Sequence, residues 1–378
     1  YCRFPIESRF LKDFRTKKQV VFDTTHIQEE EHKMKKTLTA LLSCALVASL
    51  TACGGSGSAS TTAAGDTKTE TTASGGNGSY TLKVNTALSE TDPLFVALRD
   101  VFKKNVEEKT NGDVQVEVYS GSQLGNDEDV LEQALVGAGV GVITDPGRLS
   151  NYVYDIGILQ APYIAESYDE ALKLFETDAY NKMKEEVENC GFQILSFNYY
   201  QGERELFTKN PVKSPENLKG QRIRSSGSQV VTSTLEAMGA NTSVLAWSES
   251  YQALQQQVIE GVEVHLSAAV GSSMQEVTKY LAFTGHQQLL TGLVISQSWY
   301  SKLPEEYQTI LQDASYEAGK VTSENVISKN DEYLKTLTDG GIEVVECDKE
   351  AFKTACDKVY DELGYREVKA AIDKELGR

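Results

Sequence analysis

From Tyr80 to the C terminus, apolar strand patterns alternate with amphipathic helix patterns, and this alternation limits the possible fold most strongly. Residues 80–85 and 114–119 have the spacing of strands, and Leu94 to Lys109 has apolar residues at helical spacing. Strand–helix alternation of this kind predicts an α/β architecture with mainly parallel sheets. About 300 residues exceed the size of a typical single core, so we expect two lobes.

Further elements follow the same pattern, and one of them is unusually long. Predicted strands are residues 140–144, 192–197 and 222–224, and predicted helices are residues 129–136, 214–220, 228–238 and 249–259. Residues 304–337 keep a helical period over about 50 Å, which is longer than one small lobe. A helix of that length would brace both lobes. The alternative is two helices with a break near Gly319 or Ser323.

The segment before the globular region has the features of an export signal. Two lysines follow Met34, an apolar run extends over residues 38–50, and Cys53 follows Leu-Thr-Ala directly. We therefore expect residues 34–52 to be a lipoprotein signal peptide and Cys53 to be the lipidated first mature residue. The apolar run is shorter than the roughly 20 residues that span a bilayer, which argues against a transmembrane anchor. The expected location is extracytoplasmic, with the lipid anchored in the cell membrane.

Two further N-terminal segments are expected to lie outside the fold. Residue 1 is Tyr, and residues 1–33 show no helical or strand period, so we expect Met34 to be the true start and 1–33 to be upstream mistranslation. Residues 53–79 begin at the lipidated Cys53 and consist mainly of Gly, Ser, Thr and Ala. Such a composition cannot bury a core and predicts a flexible linker.

The charge balance excludes some partners and favours others. The net charge of −18 becomes −21 without residues 1–52, because that segment carries nine Lys or Arg and six Asp or Glu. This argues against nucleic acid and against docking on anionic lipid. Seven arginines follow Cys53, and three of them lie between Arg204 and Arg224. Because a guanidinium matches a carboxylate with two hydrogen bonds, the cluster favours an anionic ligand, with surface ion pairing as the alternative.

The three cysteines after Cys53 show no metal-site or redox spacing. Cys356 lies in a helical pattern, which favours a buried free thiol, and a bridge to Cys347 is the alternative.

Several phrases together resemble the solute-binding proteins of TRAP transporters (tripartite ATP-independent periplasmic transporters), the DctP family. They occur in the family's order, and the resemblance extends from Tyr80 to the end. The phrases are Gly121-Ser-Gln-Leu-Gly125, Phe207-Thr-Lys-Asn-Pro211, Ser214-Pro-Glu-Asn-Leu-Lys-Gly220 with Arg222-Ile-Arg224, Glu236-Ala-Met-Gly-Ala-Asn241, Tyr251-Gln-Ala-Leu-Gln255, Val277-Thr-Lys-Tyr-Leu281 and Leu303-Pro-Glu-Glu-Tyr-Gln308.

The resemblance implies a two-lobed periplasmic-binding-protein-like α/β fold with a hinge and a long bracing helix. We expect residues 80–200 with 290–330 to form lobe I, and residues 201–289 with 331–378 to form lobe II. It also implies a monomer that binds a small organic acid between the lobes and delivers it to TRAP membrane subunits. No cofactor or metal is expected.

The family's ligand-clamping arginine corresponds to Arg224, at the carboxyl end of a predicted strand, where open α/β sheets bind ligands. A second family arginine corresponds to Arg204, for which a hinge ion pair with Glu203 or Glu205 is the alternative.

Other pocket positions implied by the resemblance each have a structural alternative. Trp247 matches a pocket aromatic or is a core tryptophan. Asp145 and Arg148 match a pocket loop or are turn residues. Tyr200, with Tyr199, lines the cleft or packs the hinge.

The chain departs from the family where Asp-Gly-x-Glu-Asn-Pro is usual, because Val264 replaces the Asn and His265 replaces the Pro. We therefore expect an acid whose distal part is less polar than common dicarboxylates or sialic acid, or one that uses His265.

Enzymatic function is not expected from the motifs. No Ser-His-Asp elbow, Cys-His pair or metal-binding histidine spacing occurs, and the glycines at 137, 139 and 141 precede a strand, so they make a poor dinucleotide loop. A sensor or ABC-importer adaptor is the main alternative, and a secreted acidic hydrolase is a weaker one.

Overall fold

The computed structural model describes residues 79–378, which belong to one compact unit. The expected upstream segment 1–33, the predicted signal peptide, Cys53 and nearly all of the predicted linker lie outside the described residues. Eleven strands in this range are Tyr80–Asn85 (β1), Val114–Tyr119 (β2), Val140–Thr144 (β3), Phe192–Glu203 (β4), Glu205–Thr208 (β5), Arg222–Ser225 (β6), Asn241–Val244 (β7), Gly261–Val264 (β8), Tyr280–Ala282 (β9), Gln288–Ser296 (β10) and Glu343–Val345 (β11).

The helices of the described range surround these strands. The α-helices are Pro93–Ala97, Lys104–Lys109, Asp127–Leu135, Pro146–Leu149, Tyr168–Leu174, Asp178–Asn189, Gln229–Ala237, Ser250–Gln255, Leu266–Gly271, Gln297–Tyr300, Glu305–Ser328, Asn330–Asp339, Lys349–Cys356, Val359–Glu362 and Arg366–Leu376. The 3₁₀ segments are Tyr154–Gln160, Pro215–Leu218, Trp247–Glu249 and Met274–Glu276, and Leu98–Lys103 is a π-helical stretch between two α-helices. No helix among residues 79–378 combines the length and the apolar character needed to span a bilayer.

The strands form two sheets, and each sheet is the basis of one lobe. A five-stranded sheet has the order β2-β1-β3-β10-β4, and a six-stranded sheet has the order β11-β9-β5-β8-β6-β7. The chain crosses between them three times: after β4, where Arg204 alone separates β4 from β5, between β9 and β10, and between β10 and β11. This confirms the predicted two-lobed α/β fold. The lobe boundaries along the chain stay a prediction.

Both sheets are mixed, which differs from the mainly parallel sheets expected. β1 pairs parallel with β2 and β3, and β6 pairs parallel with β7 and β8. The strands that connect the lobes run the other way: β10 is antiparallel to β3 and β4, and β5 is antiparallel to β8 and β9. A strand that arrives from the other lobe need not follow the right-handed crossover that makes neighbours parallel.

Apolar side chains cover both faces of the five-stranded sheet. Every residue of β3 and β10 is buried. Adjacent residues point to opposite faces, so Val142 and Val294 pack in one core, and Ile143 and Leu293 pack in another. Central strands buried on both faces therefore read as continuous apolar runs rather than as alternating ones.

The predicted long C-terminal helix is two helices, but the break between them is not near Gly319 or Ser323, where the alternative interpretation of the sequence placed it. One helix occupies Glu305–Ser328 and a second occupies Asn330–Asp339, with Lys329 between them. The first packs on β4, and the second packs on the helix Leu266–Gly271 that follows β8. The two helices together therefore contact both lobes, as expected of a brace. Gly319 and Ser323 are both buried within the first helix.

Candidate functional site

The ends of several strands from both lobes surround one cavity. Residues after β1 (Thr86–Leu88), at the end of β3 (Thr144), after β6 (Ser226) and after β8 (His265) line it. Carboxyl ends of parallel strands are where open α/β sheets place ligands, because the connecting loops diverge there.

Six of the seven predicted ligand-binding residues line this cavity. They are Asp145, Arg148, Arg204, Arg224, Trp247 and His265. Other lining residues are Ala87, Asp127, Ile143, Gln160, Gln201, Val264, Ala268, Leu289 and Thr291. The structure thus brings together side chains from the loops of both lobes that are far apart in the sequence.

Arg224 lies on an internal strand of the six-stranded sheet, next to the edge strand β7. β6 pairs with β7 on one side and β8 on the other, and Arg224 is 2% exposed. Its Nε donates to the carbonyl oxygen of Leu245 at 2.9 Å, and its guanidinium lies 5.6 Å from the ring centre of Trp247. Nη2 is buried and has no hydrogen-bond partner in the described part of the chain.

The charge of Arg224 is not paired with a carboxylate. Within the described range, no carboxylate oxygen lies within 4.0 Å of its guanidinium. Burial, with the positive charges of Arg148 and Arg204, lowers its pKa to about 10, so it stays charged at neutral pH. A buried, charged donor without a partner is costly, and such a group in a cavity favours an anion as its partner.

Arg204 is paired within the protein. Its guanidinium donates to both carboxylate oxygens of Glu263, and Nη2 also donates to the Glu263 carbonyl oxygen at 2.8 Å. Glu263 is fully buried, and His286 Nε2 lies 3.8 Å from its Oε2. Burial alone would raise the pKa of Glu263, but Arg204 and His286 lower it to about 2. The sequence suggested an ion pair of Arg204 with Glu203 or Glu205 as the alternative, whereas the observed partner of Arg204 is Glu263 on β8.

Arg148 is also surrounded by carboxylates. Asp145 caps the helix Pro146–Leu149 by accepting from the Arg148 N–H at 2.9 Å, and its other oxygen accepts from Nη1 of the same residue. Arg148 Nε lies 3.0 Å from Glu128 and 3.3 Å from Asp127. Burial would lower the pKa of Arg148, yet these carboxylates raise it above its ordinary value. Asp145 is therefore both a turn residue and a cavity residue, and Arg148 contributes little unpaired charge.

Asp127 lines the cavity and was not among the predicted site residues. It occupies the first turn of the helix Asp127–Leu135, whose N-cap is Asn126. Its Oδ1 is buried and receives no hydrogen bond from any residue that the structure describes. Burial raises its pKa to about 6, with Arg148 and Arg224 opposing the rise and Glu128 and Asp145 adding to it. A first-turn aspartate is common in any helix, so the local pattern gave no signal for it.

His265 and Trp247 differ in how well their polar atoms are satisfied. His265 is 2% exposed, and neither ring nitrogen has a hydrogen-bond partner between residues 79 and 378. Burial, with the nearby charge of Arg204, lowers its pKa to about 3, so the imidazole is neutral and offers one donor and one acceptor. Trp247 donates from Nε1 to Ser272 Oγ at 3.1 Å and is only partly buried, so its ring is not a core tryptophan.

Tyr200 does not line this cavity. Its hydroxyl donates to Gln288 Oε1 at 2.7 Å, and its ring centre lies 4.8 Å from that of Tyr168. These contacts favour the hinge-packing alternative for this residue. Cys347 and Cys356 are both free thiols, so the alternative bridge between them is not formed.

Unpartnered buried polar atoms are concentrated around the cavity. Six of these atoms have no hydrogen-bond partner among residues 79–378: Asp127 Oδ1, Thr144 Oγ1, Ser226 Oγ, Arg224 Nη2 and both ring nitrogens of His265. Buried polar groups are normally hydrogen-bonded, so a group of them around one cavity indicates a polar ligand. Ser226 directly follows the observed strand β6 and lies two residues after the predicted strand 222–224, so the strand-end rule would have pointed to it from the sequence.

The structure has two lobes linked by crossing strands. The cavity between their strand ends contains an unpaired guanidinium and buried polar atoms without partners among the described residues. These features define a two-lobed ligand-binding protein. The family model "Bacterial extracellular solute-binding protein, family 7" (DctP) matches residues 84–367. The chain belongs to this family, the solute-binding proteins of TRAP transporters.

Individual relatives agree with this assignment. The sialic acid-binding periplasmic protein SiaP of Vibrio cholerae serotype O1 is 27% identical over 259 residues, which are 68% of this chain and 80% of that protein. A TRAP periplasmic solute-binding protein of Actinobacillus succinogenes with bound L-galactonate is 29% identical, with a TM-score of 0.74 over 78% of this chain and 99% of that one. Another from Ochrobacterium anthropi with bound L-fuconate is 30% identical, with a TM-score of 0.75 over 79% and 100%.

Proposed function

We propose that this protein captures a small organic carboxylate between its two lobes and delivers it to TRAP membrane subunits. The unpaired guanidinium of Arg224 is the observation that carries the proposal. A carboxylate that reached Nη2 would supply the missing acceptor and the missing opposite charge in one contact. Relatives solved or named with sialic acid, L-galactonate and L-fuconate support an acid as the ligand.

The three cavity arginines have different roles in this proposal. Arg148 and Arg204 are neutralised by carboxylates of the protein, so they support the site and hold its walls in place. Arg224 provides the charge that remains for the ligand. Burying an ion pair is favourable only when its hydrogen bonds are well matched, and the fixed position of Arg224 on β6 provides that match before the ligand arrives.

The remainder of the ligand is expected to contact Val264 and His265. Val264 gives an apolar wall where the family usually has an Asn, and the neutral imidazole of His265 pairs with a neutral polar group rather than with a second carboxylate. A thermal-shift screen across mono-, di- and sugar acids tests this part. Preference for the common dicarboxylates would count against it.

Ligand capture would proceed by closure of the lobes. An open form binds the carboxylate first, and contacts from the opposite lobe then favour the closed form by differential affinity. The diacylated Cys53 and the linker that follows it would hold the globular part close to the membrane subunits. The protein would thus work outside the cytoplasm as a tethered monomer.

Calorimetry with an Arg224→Lys variant tests the proposed function. Lysine keeps the charge but loses the planar fork, so we expect binding of any carboxylate ligand to weaken by about 100-fold or more. Arg222→Lys is the matched control, because Arg222 lies on the same strand but is exposed and paired with Glu260. Wild-type affinity in the Arg224→Lys protein would overturn the site assignment.

A further inference from the structure

Glu203 and Glu205 flank Arg204 in the connection between the lobes, on the side away from the cavity. Neighbouring residues of an extended chain point to opposite sides, so Arg204 reaches the cavity and the two glutamates do not. Both glutamates line a separate groove beside the connection. Because Arg204 is paired with Glu263, its charge is not available to either of them, and the proposed function gives neither glutamate a role.

The two carboxyl groups hydrogen-bond to each other across the connection. Glu203 ends β4 of the five-stranded sheet, and its Oε1 accepts from Gln288 Nε2 at 3.1 Å. Glu205 begins β5 of the six-stranded sheet, and its Oε2 accepts from the Gly285 N–H at 2.7 Å. Oε2 of Glu203 and Oε1 of Glu205 therefore remain for the bond between the two groups. Such a bond requires a proton on one of them, since an ionised carboxylate only accepts.

The surroundings favour this proton on Glu205. The residue is 2% exposed, and burial raises its pKa well above the ordinary value, with the charge of Glu203 and the hydrogen bond to it adding to the rise. The Gly285 N–H and the positive charge of Lys349 oppose the rise. A Cβ at Gly285 would lie 3.1 Å from Glu203 Oε2 and 3.3 Å from Lys349 Nζ, so the amino group lies beside the pair.

Five other titratable groups surround the pair: Tyr163, Tyr200, Cys347, Asp169 and His286. Burial raises the pKa of the two tyrosines and of the thiol, so these three groups are uncharged at neutral pH. The imidazole Nε2 faces Glu263 rather than the pair. Lys349 therefore supplies the positive charge that acts on Glu205.

We propose that Glu203 and Glu205 form a proton-dependent latch between the lobes, in which one shared proton favours the closed arrangement. The lobes of the structure also contact each other directly, because Asn151 Nδ2 donates to the Gly227 carbonyl oxygen at 3.3 Å. Loss of the proton leaves two negative charges next to each other, and rotation of the lobes about the connection separates them. The inference rests on the lobe closure in the proposed function, but its test requires no ligand.

The direction of the pH dependence follows from the raised pKa of Glu205. A carboxyl group whose pKa is raised in one arrangement stabilises that arrangement at low pH, and this contribution is lost as the pH rises through the raised value. Acidic surroundings therefore favour the closed arrangement, and alkaline ones favour opening. Glutamine resembles the protonated carboxyl, because its amide donates a hydrogen bond and carries no charge. Glu205→Gln is thus expected to stay latched at every pH.

Hydrogen exchange of the full chain without ligand measures the opening. The reporters are the amides of residues 145–151 and 225–229, which meet across the two lobes. Their sequences are the same in the wild type and in Glu205→Gln, so intrinsic exchange rates cancel when both proteins are compared at one pH. We expect equal exchange at about pH 5, and at least about fivefold faster exchange in the wild type at about pH 9. The amides of β3 and β10 should exchange alike in both proteins, which shows that the variant is folded.

Two further variants complete the experiment. Glu203→Gln neutralises the other carboxyl group and should reduce the pH dependence in the same direction. It decides the test if Glu205→Gln loses the protection of β3 and β10. Glu324→Gln is the matched control, since Glu324 is exposed on the helix Glu305–Ser328 that packs on β4. It should exchange as the wild type does at each pH.

Three results would overturn the inference. One is a folded Glu205→Gln protein, or Glu203→Gln in its place, that keeps the pH dependence of the wild type. Another is a Glu324→Gln protein that loses this dependence to the same extent as Glu205→Gln. The third is a difference confined to residues 200–206 and 285–288, which would be local loosening without lobe opening. Since no ligand is added, loss of ligand binding in Arg224→Lys bears on the proposed function alone.

Discussion

At the residue scale, the same type of side chain has different roles in one cavity. Arg204 and Arg148 are matched by carboxylates that belong to the protein, whereas Arg224 has only a carbonyl oxygen and an aromatic ring. Burial without an opposite charge lowers the pKa of an arginine, and burial beside several carboxylates raises it. The pKa of Arg148 is raised and the pKa of Arg224 is lowered, which identifies Arg224 as the arginine whose charge is available to a ligand.

A buried aspartate outside the cavity gives a pH prediction at this scale. Asp92 is 4% exposed, caps the helix Pro93–Ala97 through the Leu94 N–H, and accepts from Ser267 Oγ of the other lobe at 2.8 Å. Burial raises its pKa from 3.8 to about 6. The protonated form is thus favoured on folding. The contribution of the Asp92 carboxyl to the free energy of unfolding is fully present below pH 3.8 and is lost as the pH rises through about 6.

Asp92→Asn is therefore expected to be more stable than the wild type at pH 7.5, by on the order of 2 kcal/mol. Asn caps a helix as well as Asp does and carries no charge to desolvate. The difference should shrink towards zero at pH 4. Thermal unfolding across this range measures it, with Asp331→Asn as an exposed control. Melting curves that depend on pH identically in the wild type and Asp92→Asn would contradict the explanation.

At the scale of elements, the helix Glu305–Ser328 shows why local propensity is not sufficient. Gly319 lies in its middle, where glycine normally costs about 1 kcal/mol relative to alanine. A Cβ at this position would lie 2.2 Å from Oδ1 and 2.6 Å from Cγ of Asn198 on β4. The glycine permits the close approach of helix and strand, and the Asn198 amide donates to the Tyr316 carbonyl oxygen in that contact.

Gly319→Ala is expected to destabilise the protein by about 1–3 kcal/mol, despite the better helix propensity of alanine. Urea unfolding with an unchanged m-value measures the loss. The control makes the same change in an Asn198→Ala protein. There the side chain that a Cβ at position 319 would meet is absent, so Gly319→Ala should be neutral or stabilising. A double-mutant cycle without coupling between the two positions would show that the contact is not the cause.

At the scale of the whole molecule, the proposed membrane tether separates anchoring from binding. The globular part begins at Tyr80, whereas the proposed lipid lies on Cys53. Cys53→Ser should therefore move the protein from the membrane fraction to the soluble fraction and leave ligand affinity unchanged. Cys347→Ser, which alters a free thiol of the globular part, should stay with the membranes. Membrane retention of Cys53→Ser would refute lipid anchoring at this residue.

Local patterns were sufficient to predict much of this architecture. Periodicity identified β1, β2 and β3 with their observed bounds, because a strand with one or both faces buried imposes its spacing on the sequence. The helix ends were less well predicted: the helix expected over 249–259 is an α-helix only at Ser250–Gln255. The break at Lys329 was missed because the apolar period continues through it.

The sequence by itself determined the α/β class and the placement of Arg224 at the end of a predicted strand, since both depend on spacing between neighbouring residues. The length of the globular region predicted the two lobes. Only the tertiary structure decided which arginine remains unpaired. Glu263 is 59 positions from Arg204, and Asp127 is 21 positions from Arg148. Pairing between such distant residues depends on how the two sheets and their loops pack, and Coulomb attraction acts on distance in space rather than on separation along the chain.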